Sequence, residues 1–365
     1  MSRVLFIPKA ERLASSERGG MVYRTLNAHH AVVGLPCPRD RILYDPSRAK
    51  LPRYLLYLID KAVLTLQGLR LALRHRVEVV FSETAHHALV GLAIARILGI
   101  RCVWDSHGNV RLFAESVGKG RLFTIFAGLL ETFLGRRIDA LITVSGRDAE
   151  AYGRMGVPPS KIHVIPLSLD LSAVETGTVG RSRTEPTNGE VPILLFFGSF
   201  KYAPNREALE FIDEAVAPFL ERNGLRCRIN IAGRDIPDVS FHPFVNVLGF
   251  VPDIHATIRE TDLCIVPVWR GVGTLTKVLD IMAAGTPSVL SGFAAEGIEG
   301  LEGGIHAWIA PSPEEFLQSV SRALDSPERA AAMADAAREL IEQRYDWERQ
   351  IPRLNRIVRG ETTDN

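Results

Sequence analysis

The chain has 365 residues and a mass of 40.3 kDa, with 46% apolar and 23% charged residues, 30 Gly, 21 Pro, and 43 Lys+Arg against 42 Asp+Glu for a formal net charge of +1. At about 100–200 residues per domain this predicts two domains or one large one, and the composition excludes a disordered, collagenous or coiled-coil chain. The balanced charge lacks the electrostatic footprint of a nucleic-acid binder, so no nucleic-acid partner is expected.

RVLFIP (3–8) predicts a strand, the region after Gly19-Gly20 a helix, VEVVFSE (77–83) a strand and residues 86–99 a helix. RCVWDS (101–106), a helix over 123–137 and DALITVS (139–145) continue the series. Such alternation predicts a parallel sheet with helices on both faces. The polar, Gly-, Thr- and Pro-rich stretch from 171 to about 190 breaks the pattern and reads as a linker. Alternation then restarts with VPILLFFG (191–198), a helix from about Arg206 to Leu220, RCRINIAG (226–233), VNVLGF (245–250) and a helix near 252–260. DLCIVPV (262–268), a helix from Thr274 to Ala284 and PSVLS (287–291) complete a second sheet, and two helical patterns follow over 313–326 and 327–343. The expected fold class is α/β, with two tandem Rossmann-like domains facing a central cleft. The expected boundaries are 1–172, a linker over 173–190, 191–343, and a tail or return helix over 344–365.

The four cysteines at 37, 102, 227 and 264 lie far apart, and three fall in apolar runs, so reduced core thiols of a cytosolic protein are expected rather than disulfides or metal ligands. The apolar run Val4 to Ile7 is too short for a signal peptide, and no segment approaches ~18 uninterrupted apolar residues. The expected location is cytoplasmic.

In an open parallel sheet, ligands bind beyond the carboxyl ends of the strands. Gly19-Gly20 opens a helix where free backbone N–H groups could receive a phosphate, although a plain turn explains the pair as well. In FFGSFKYAPN (196–205) a buried strand runs into Gly198 and Ser199. Lys201 then offers a mobile positive charge, and Pro204-Asn205 starts a helix. In VPVWRGVGTLTKVLDIMAAGTPSVLS (266–291) Arg270 follows a strand, Gly271 and Gly273 make a tight loop, and Thr274 is placed as the N-cap of a helix whose start favours an anion. Lys277 and Asp280 are three apart and are expected to share a face and line one cleft, the carboxylate being suited to a sugar diol. The bland alternatives are a solvated Lys201 and an exposed helix ion pair.

These residues resemble the retaining glycosyltransferases of family 4 with the GT-B fold, in the branch whose second domain opens with G-[ST]-x-x-Y-x-P-N, here GSFKYAPN (198–205). The donor-site motif G-x-G-T-x-x-K-x-L-E-x-M-A-x-G-x-P-V-V is matched by GVGTLTKVLDIMAAGTPSV (271–289). The resemblance extends through VNVLGFVPDI (245–254), DALITVSGRDAEAY (139–152) and VIPLSLD (164–170), and is weak between 35 and 76. It implies an acceptor-binding first domain, a nucleotide-sugar-binding second domain, and transfer of a hexose from a nucleotide sugar to a glycan, lipid-linked or small-molecule acceptor. It also implies a ribose-binding carboxylate at Asp280, phosphate contacts from Gly273, Thr274 and Leu275, and a Lys at Lys277. A donor-covering glycine loop falls on Gly19 and Gly20, and a sugar-facing His on His107 in WDSHGN. Lys201, Lys277 and His107 are the expected catalytic side chains, with Gly198, Ser199, Asn205 and Arg270 in the donor site.

No D-x-D lies on a suitable loop, so neither a metal nor a cofactor is expected, and loss of activity in EDTA would refute this. Three positions depart from the family: Val272 replaces a Glu, Leu275 an Arg, and Asp280 is one methylene shorter than Glu. They motivate an alternative, a degenerate subunit that binds a nucleotide or partner without transferring sugar. An epimerase or hydrolase would need paired carboxylates in the cleft, where only Asp280 is found, with Asp105 and Glu83 as distant candidates. His86-His87 reads as a helix start. Residues 50–76 carry Lys50, Arg53, Lys61, Arg70, Arg74 and Arg76 against Asp60 on a Leu-rich helical pattern, which suits either a core helix with a basic face or peripheral contact with an anionic leaflet.

Overall fold

The computed structural model describes residues 1–8, 18–35, 53–116, 118, 120–172, 174, 191–271 and 273–361. Of the expected linker over 173–190, only Val174 lies within the described residues. The chain divides into two compact units, Met1–Leu167 with Trp347–Asn365, and Ser168–Asp346.

The first unit runs β1 (Arg3–Ile7), α1 (Arg18–His29), β2 (Ala31–Gly34), α2 (Arg53–His75), β3 (Val79–Glu83), α3 (Thr84–Leu98), β4 (Arg101–Asp105), α4 (Val110–Ser116), α5 (Arg121–Arg137), β5 (Ala140–Thr143), α6 (Gly146–Arg154) and β6 (Ile162–Val164). The second begins with β7 (Ile193–Ser199) and α7 (Ala203–Phe211), which passes through a π-helical turn at Ile212–Val216 into α8 (Ala217–Arg222). β8 (Arg228–Arg234), β9 (Val245–Gly249), α9 (Ile254–Arg259), β10 (Leu263–Val266), α10 (Thr276–Ala283), β11 (Ser288–Ser291), α11 (Gly292–Glu296), β12 (Trp308–Ala310), α12 (Pro313–Leu324) and α13 (Pro327–Arg344) follow. The chain then returns to the first unit as α14 (Trp347–Arg359).

Both sheets have six strands with every neighbouring pair parallel, in the orders β2-β1-β3-β4-β5-β6 and β12-β11-β10-β7-β8-β9. Parallel strands are covered on both faces, which is why β3, β4 and β10 are so apolar. Alternate residues divide the first core in two. Leu5, Ile7, Val80, Trp104 and Leu141 face a cluster with α2, α3 and α5, while Val4, Phe6, Phe81, Val103 and Ile142 face α1 and α14. α14 is fastened by Trp347 Nε1 donating to Thr25 Oγ1 at 2.9 Å and by His30 with Asn355 at 3.0 Å.

Several short elements were not expected: β2, β6 and β12, each of three or four residues, together with α4 and α6. The first unit ends at Leu167 rather than at 172, and the second at Asp346 rather than at 343. Cys102, Cys227 and Cys264 are buried, and burial pushes the Cys102 and Cys227 thiols up to about 12.

Candidate functional site

In a doubly wound sheet the ligand crevice opens where the strand order reverses. In the second unit that point is between β7 and β10. They pair only at Leu194 with Leu263 and at Leu195 with Cys264, whereas β7 stays paired with β8 through Ser199 and Arg234. β7 therefore has no partner on its β10 side over its last four residues, and the segments after β7 and β10 flank the opening.

The segment after β7 is held by its own motif. Asn205, buried in the first turn of α7, donates from Nδ2 to the Ser199 carbonyl at 2.9 Å and accepts at Oδ1 from Lys277 Nζ at 2.8 Å. A Cβ on Gly198 would lie 2.6 Å from Asn205 Nδ2 and 3.0 Å from Lys277 Nζ, and one on Gly233 would lie 1.8 Å from the Gly198 carbonyl oxygen. Only glycine lets β7 and β8 end this close together. Lys201 sits exposed in the turn that follows.

The segment after β10 corrects two expectations. Thr274 is not the N-cap: α10 starts one residue after Leu275, which makes no side-chain cap, and Thr274 Oγ1 instead donates to the Gly297 carbonyl at 2.9 Å. Lys277 and Asp280 do not line one surface. Nearly the whole of α10 is packed, so Lys277 is 9% exposed, with Nζ 4.3 Å above the Phe196 ring. Burial lowers its amine from 10.5 to about 7. Asp280 is partly exposed and is engaged by His255 of α9, Nε2 to Oδ1 at 3.1 Å; that hydrogen bond raises the His255 pKa. Arg270 lies at the surface, paired with Glu207 of α7 through Nε to Oε2 at 2.8 Å. Gly273 adopts φ +69° in the same loop, and Val272 lies outside the described residues.

The first unit reverses its strand order between β1 and β3, and a charged cluster stands at that edge. Glu83 ends β3, Asp105 ends β4, and His107 follows two residues on. His107 Nε2 lies 3.4 Å from Glu83 Oε1 and 3.6 Å from Asp105 Oδ2. Arg18, at the start of α1, donates to both Asp105 oxygens at 2.9 to 3.3 Å and from Nη1 to the Ile165 and Pro166 carbonyls at 3.1 Å. Gly19 and Gly20 form the first turn of α1. A Cβ on Gly19 would meet Glu83 Oε1 at 2.5 Å, which gives this glycine a packing reason of its own. Thr84, beside Glu83, is held at φ +59°, a strained backbone for a β-branched residue.

Among the described residues, Glu83, Asp105 and His107 form one group close enough to share a cation, their ligand atoms all within 4.8 Å. The Arg18 guanidinium already occupies both oxygens of Asp105, so the positive charge of this cluster is supplied by the chain itself. The loop carrying His107 is braced from behind. Tyr152 Oη bonds Ser106 Oγ and donates to Glu131, each at 2.8 Å, and Glu131 accepts the Val110 and Arg111 amides at 2.8 and 3.1 Å.

The sequence pattern does not single out Arg18, His255, Tyr152 or Glu131, and it marks Glu83 and Asp105 only as distant carboxylates. One signal was available: a charged residue closing an apolar strand, as in FSE and VWD, sits at the carboxyl edge of a doubly wound sheet.

Both units are thus doubly wound α/β domains of the Rossmann type, with polar residues gathered at each switch point. Residues 191–326 match the family model "Glycosyl transferases group 1", and residues 11–168 match "Glycosyl transferase 4-like domain". The chain belongs to the GT-B glycosyltransferases. Among solved structures it resembles the sucrose-phosphate synthase (tll1590) of Thermosynechococcus elongatus, at 16% identity and TM-score 0.73 over 99% of each chain. It also resembles Anabaena Alr3699/HepE in complex with UDP, at 15% identity and TM-score 0.70 over 99% of this chain and 100% of that one. The α,α-trehalose 6-phosphate synthase of Burkholderia multivorans matches at 14% identity and TM-score 0.71 over 99% and 97%. At these identities the likeness is one of fold. No curated protein sequence matches the chain significantly.

Proposed function

We propose that this protein is a retaining, metal-independent hexosyltransferase of family 4 that moves a sugar from a nucleotide-sugar donor to a glycan, lipid-linked or small-molecule acceptor in the cytoplasm. The observation that carries the reading is the pair of family matches over 11–168 and 191–326. It is supported by the likeness to Anabaena Alr3699/HepE, a protein crystallised with UDP and with UDP-glucose.

In this reading the second unit holds the donor. Exposed Lys201, Gly273 and the Thr274 and Leu275 amides face the diphosphate, and Asp280, held by His255, accepts the ribose hydroxyls. Lys277 acts one layer back: it fixes Asn205 and thereby the Gly198-Ser199 turn, in place of the direct phosphate contact expected from the sequence. Arg270 adds positive charge at the rim. In the first unit His107, backed by Glu83 and Asp105, serves the transferred sugar. The chemistry asked of these groups is electrostatic: to stabilise a departing diphosphate and an oxocarbenium-like sugar.

A second reading, a subunit that binds nucleotide without transfer, is favoured by one observation, the engagement of both Lys277 and Asp280 by neighbouring side chains. Thermal shift over UDP-, GDP- and ADP-sugars, followed by an assay of nucleotide release with acceptors and of product anomeric configuration, tests the proposal. Stabilisation with turnover and retention supports it, and turnover should survive EDTA. Binding without release over a broad acceptor panel gives the second reading, and binding of no nucleotide defeats both.

A further inference from the structure

Helix α5 is turned inside out. Its packed face is made of Ala127, Gly128, Glu131, Leu134 and Gly135, while Leu122, Ile125, Phe126, Leu129 and Phe133 are each between 42 and 85% exposed. These five recur at i, i+3, i+4, i+7 and i+11 and so form one continuous apolar stripe along the outside of the helix. Phe113 of α4, 41% exposed, extends the patch. Soluble surfaces carry scattered apolar side chains, but an unbroken stripe of Leu, Ile and Phe marks an interaction surface.

The charges around the stripe identify what covers it. Arg121 opens the helix, Arg136 and Arg137 close it, and all three are exposed. Arg111 of α4 lies beside it, paired with Glu115 at 2.9 Å. Glu131 is turned inward onto the α4 amides, so apart from Glu115 the exposed charge described between 110 and 137 is basic. α5 has no acidic residue in its first turn, where Arg121 opposes the macrodipole, while Arg136 and Arg137 in its last turn complement it. The 17 residues span about 25 Å, and no helix among the described residues is long and apolar enough to cross a membrane.

α2 packs against α3 as α5 does, on the same face of the sheet, and exposes Leu58, Leu66 and Leu73 with Arg70 and Arg74. We propose that the outer face of α5, with Arg121 and Arg137 at its ends and the α2 face alongside, is a docking surface for an anionic lipid leaflet, in which α5 lies parallel to the membrane with Phe126 and Leu129 at acyl-chain depth. Peripheral contact, one of the two readings of 50–76, is thereby centred on a different helix, and the inference stands apart from the glycosyltransferase reading.

The test is co-sedimentation of the full chain with phosphatidylcholine vesicles with and without phosphatidylglycerol, across a salt series. Sedimentation equilibrium without lipid is run alongside. The wild type is expected to bind the phosphatidylglycerol vesicles, less so as salt rises. Phe126→Asp/Leu129→Asp, and separately Arg121→Glu/Arg137→Glu, should weaken partition at least about tenfold while leaving the melting temperature unchanged. The second variant decides should the first fail to fold. Absence of vesicle binding by the wild type, or variants that bind as it does, overturns the proposal. So does a dimer in solution that the Phe126→Asp/Leu129→Asp variant dissociates, because the stripe then belongs to a second copy.

Discussion

His255 Nε2 and Asp280 Oδ1 stand 3.1 Å apart and join α9 to α10 at the carboxyl edge of the second sheet. The hydrogen bond that His255 donates to Asp280, opposed by burial and aided by the charges of Asp280 and Asp253 against Arg259, raises the His255 pKa above 6.5. A raised folded-state pKa gives stability that is complete below 6.5 and is lost as pH climbs through the folded value. Asp280→Asn should bring the His255 titration, followed by NMR on its ring protons, back toward or below 6.5. The cost in stability should be no more than about 1 kcal/mol, because the pair is partly exposed. An unmoved titration would mean the contact does not form in solution.

Lys277 runs the opposite way. Its folded-state value of about 7 lies below the ordinary 10.5, so between those limits the unfolded chain binds more protons and stability rises with pH. Urea unfolding of the wild type should gain stability from pH 7 upward by up to about 1.4 kcal/mol per pH unit. Lys277→Met should flatten that slope. It also leaves Asn205 Oδ1 without its donor, at a cost of about 1–3 kcal/mol. Equal pH slopes for the two proteins would show that the amine is solvated.

Arg18 and Asp105 form a buried pair, with side chains 5 and 0% exposed. Removing one partner strands a charge, and Glu83 beside Asp105 adds to the repulsion once the guanidinium is gone. Arg18→Met should cost about 3–5 kcal/mol in denaturant unfolding. A loss under about 1 kcal/mol would show that water reaches the cluster.

Gly233→Ala places a methyl group 1.8 Å from the Gly198 carbonyl oxygen, backbone against side chain, at φ +144°. β7 and β8 must separate at their carboxyl ends, so both stability and nucleotide binding should fall, stability by about 1–3 kcal/mol. Full activity and an unchanged melting temperature would contradict the close approach.

Strand and helix alternation was readable because parallel strands buried on both faces are apolar runs, as in β4, β7 and β10, each ended by Asp, Gly, Ser or Pro. The edge strands β2, β6 and β12 were not, since three or four residues are too few to show a periodicity. α14 was expected only as a tail or return helix, although Trp347, Gln350, Leu354, Ile357 and Val358 keep a helical spacing. In the site, glycines and motif residues were legible because their spacing is local. The directions of Lys277 and Asp280 were not, because whether an i, i+3 pair shares a surface depends on what packs against the helix, and α10 is covered almost all round. Arg18 with Asp105 and His255 with Asp280 join residues 87 and 25 positions apart, and no single-sequence pattern marks such pairs.

The central claim, that the carboxyl edge of the second sheet takes a nucleoside diphosphate sugar, is tested most directly by calorimetric titration of UDP, GDP, ADP and their glucose conjugates into the wild type and Asp280→Ala. Saturable binding of one nucleotide family is expected, weakened about 10- to 100-fold in the variant, as for loss of a hydrogen bond to a charged group. No heat with any of these ligands, or the same affinity in both proteins, would contradict the account.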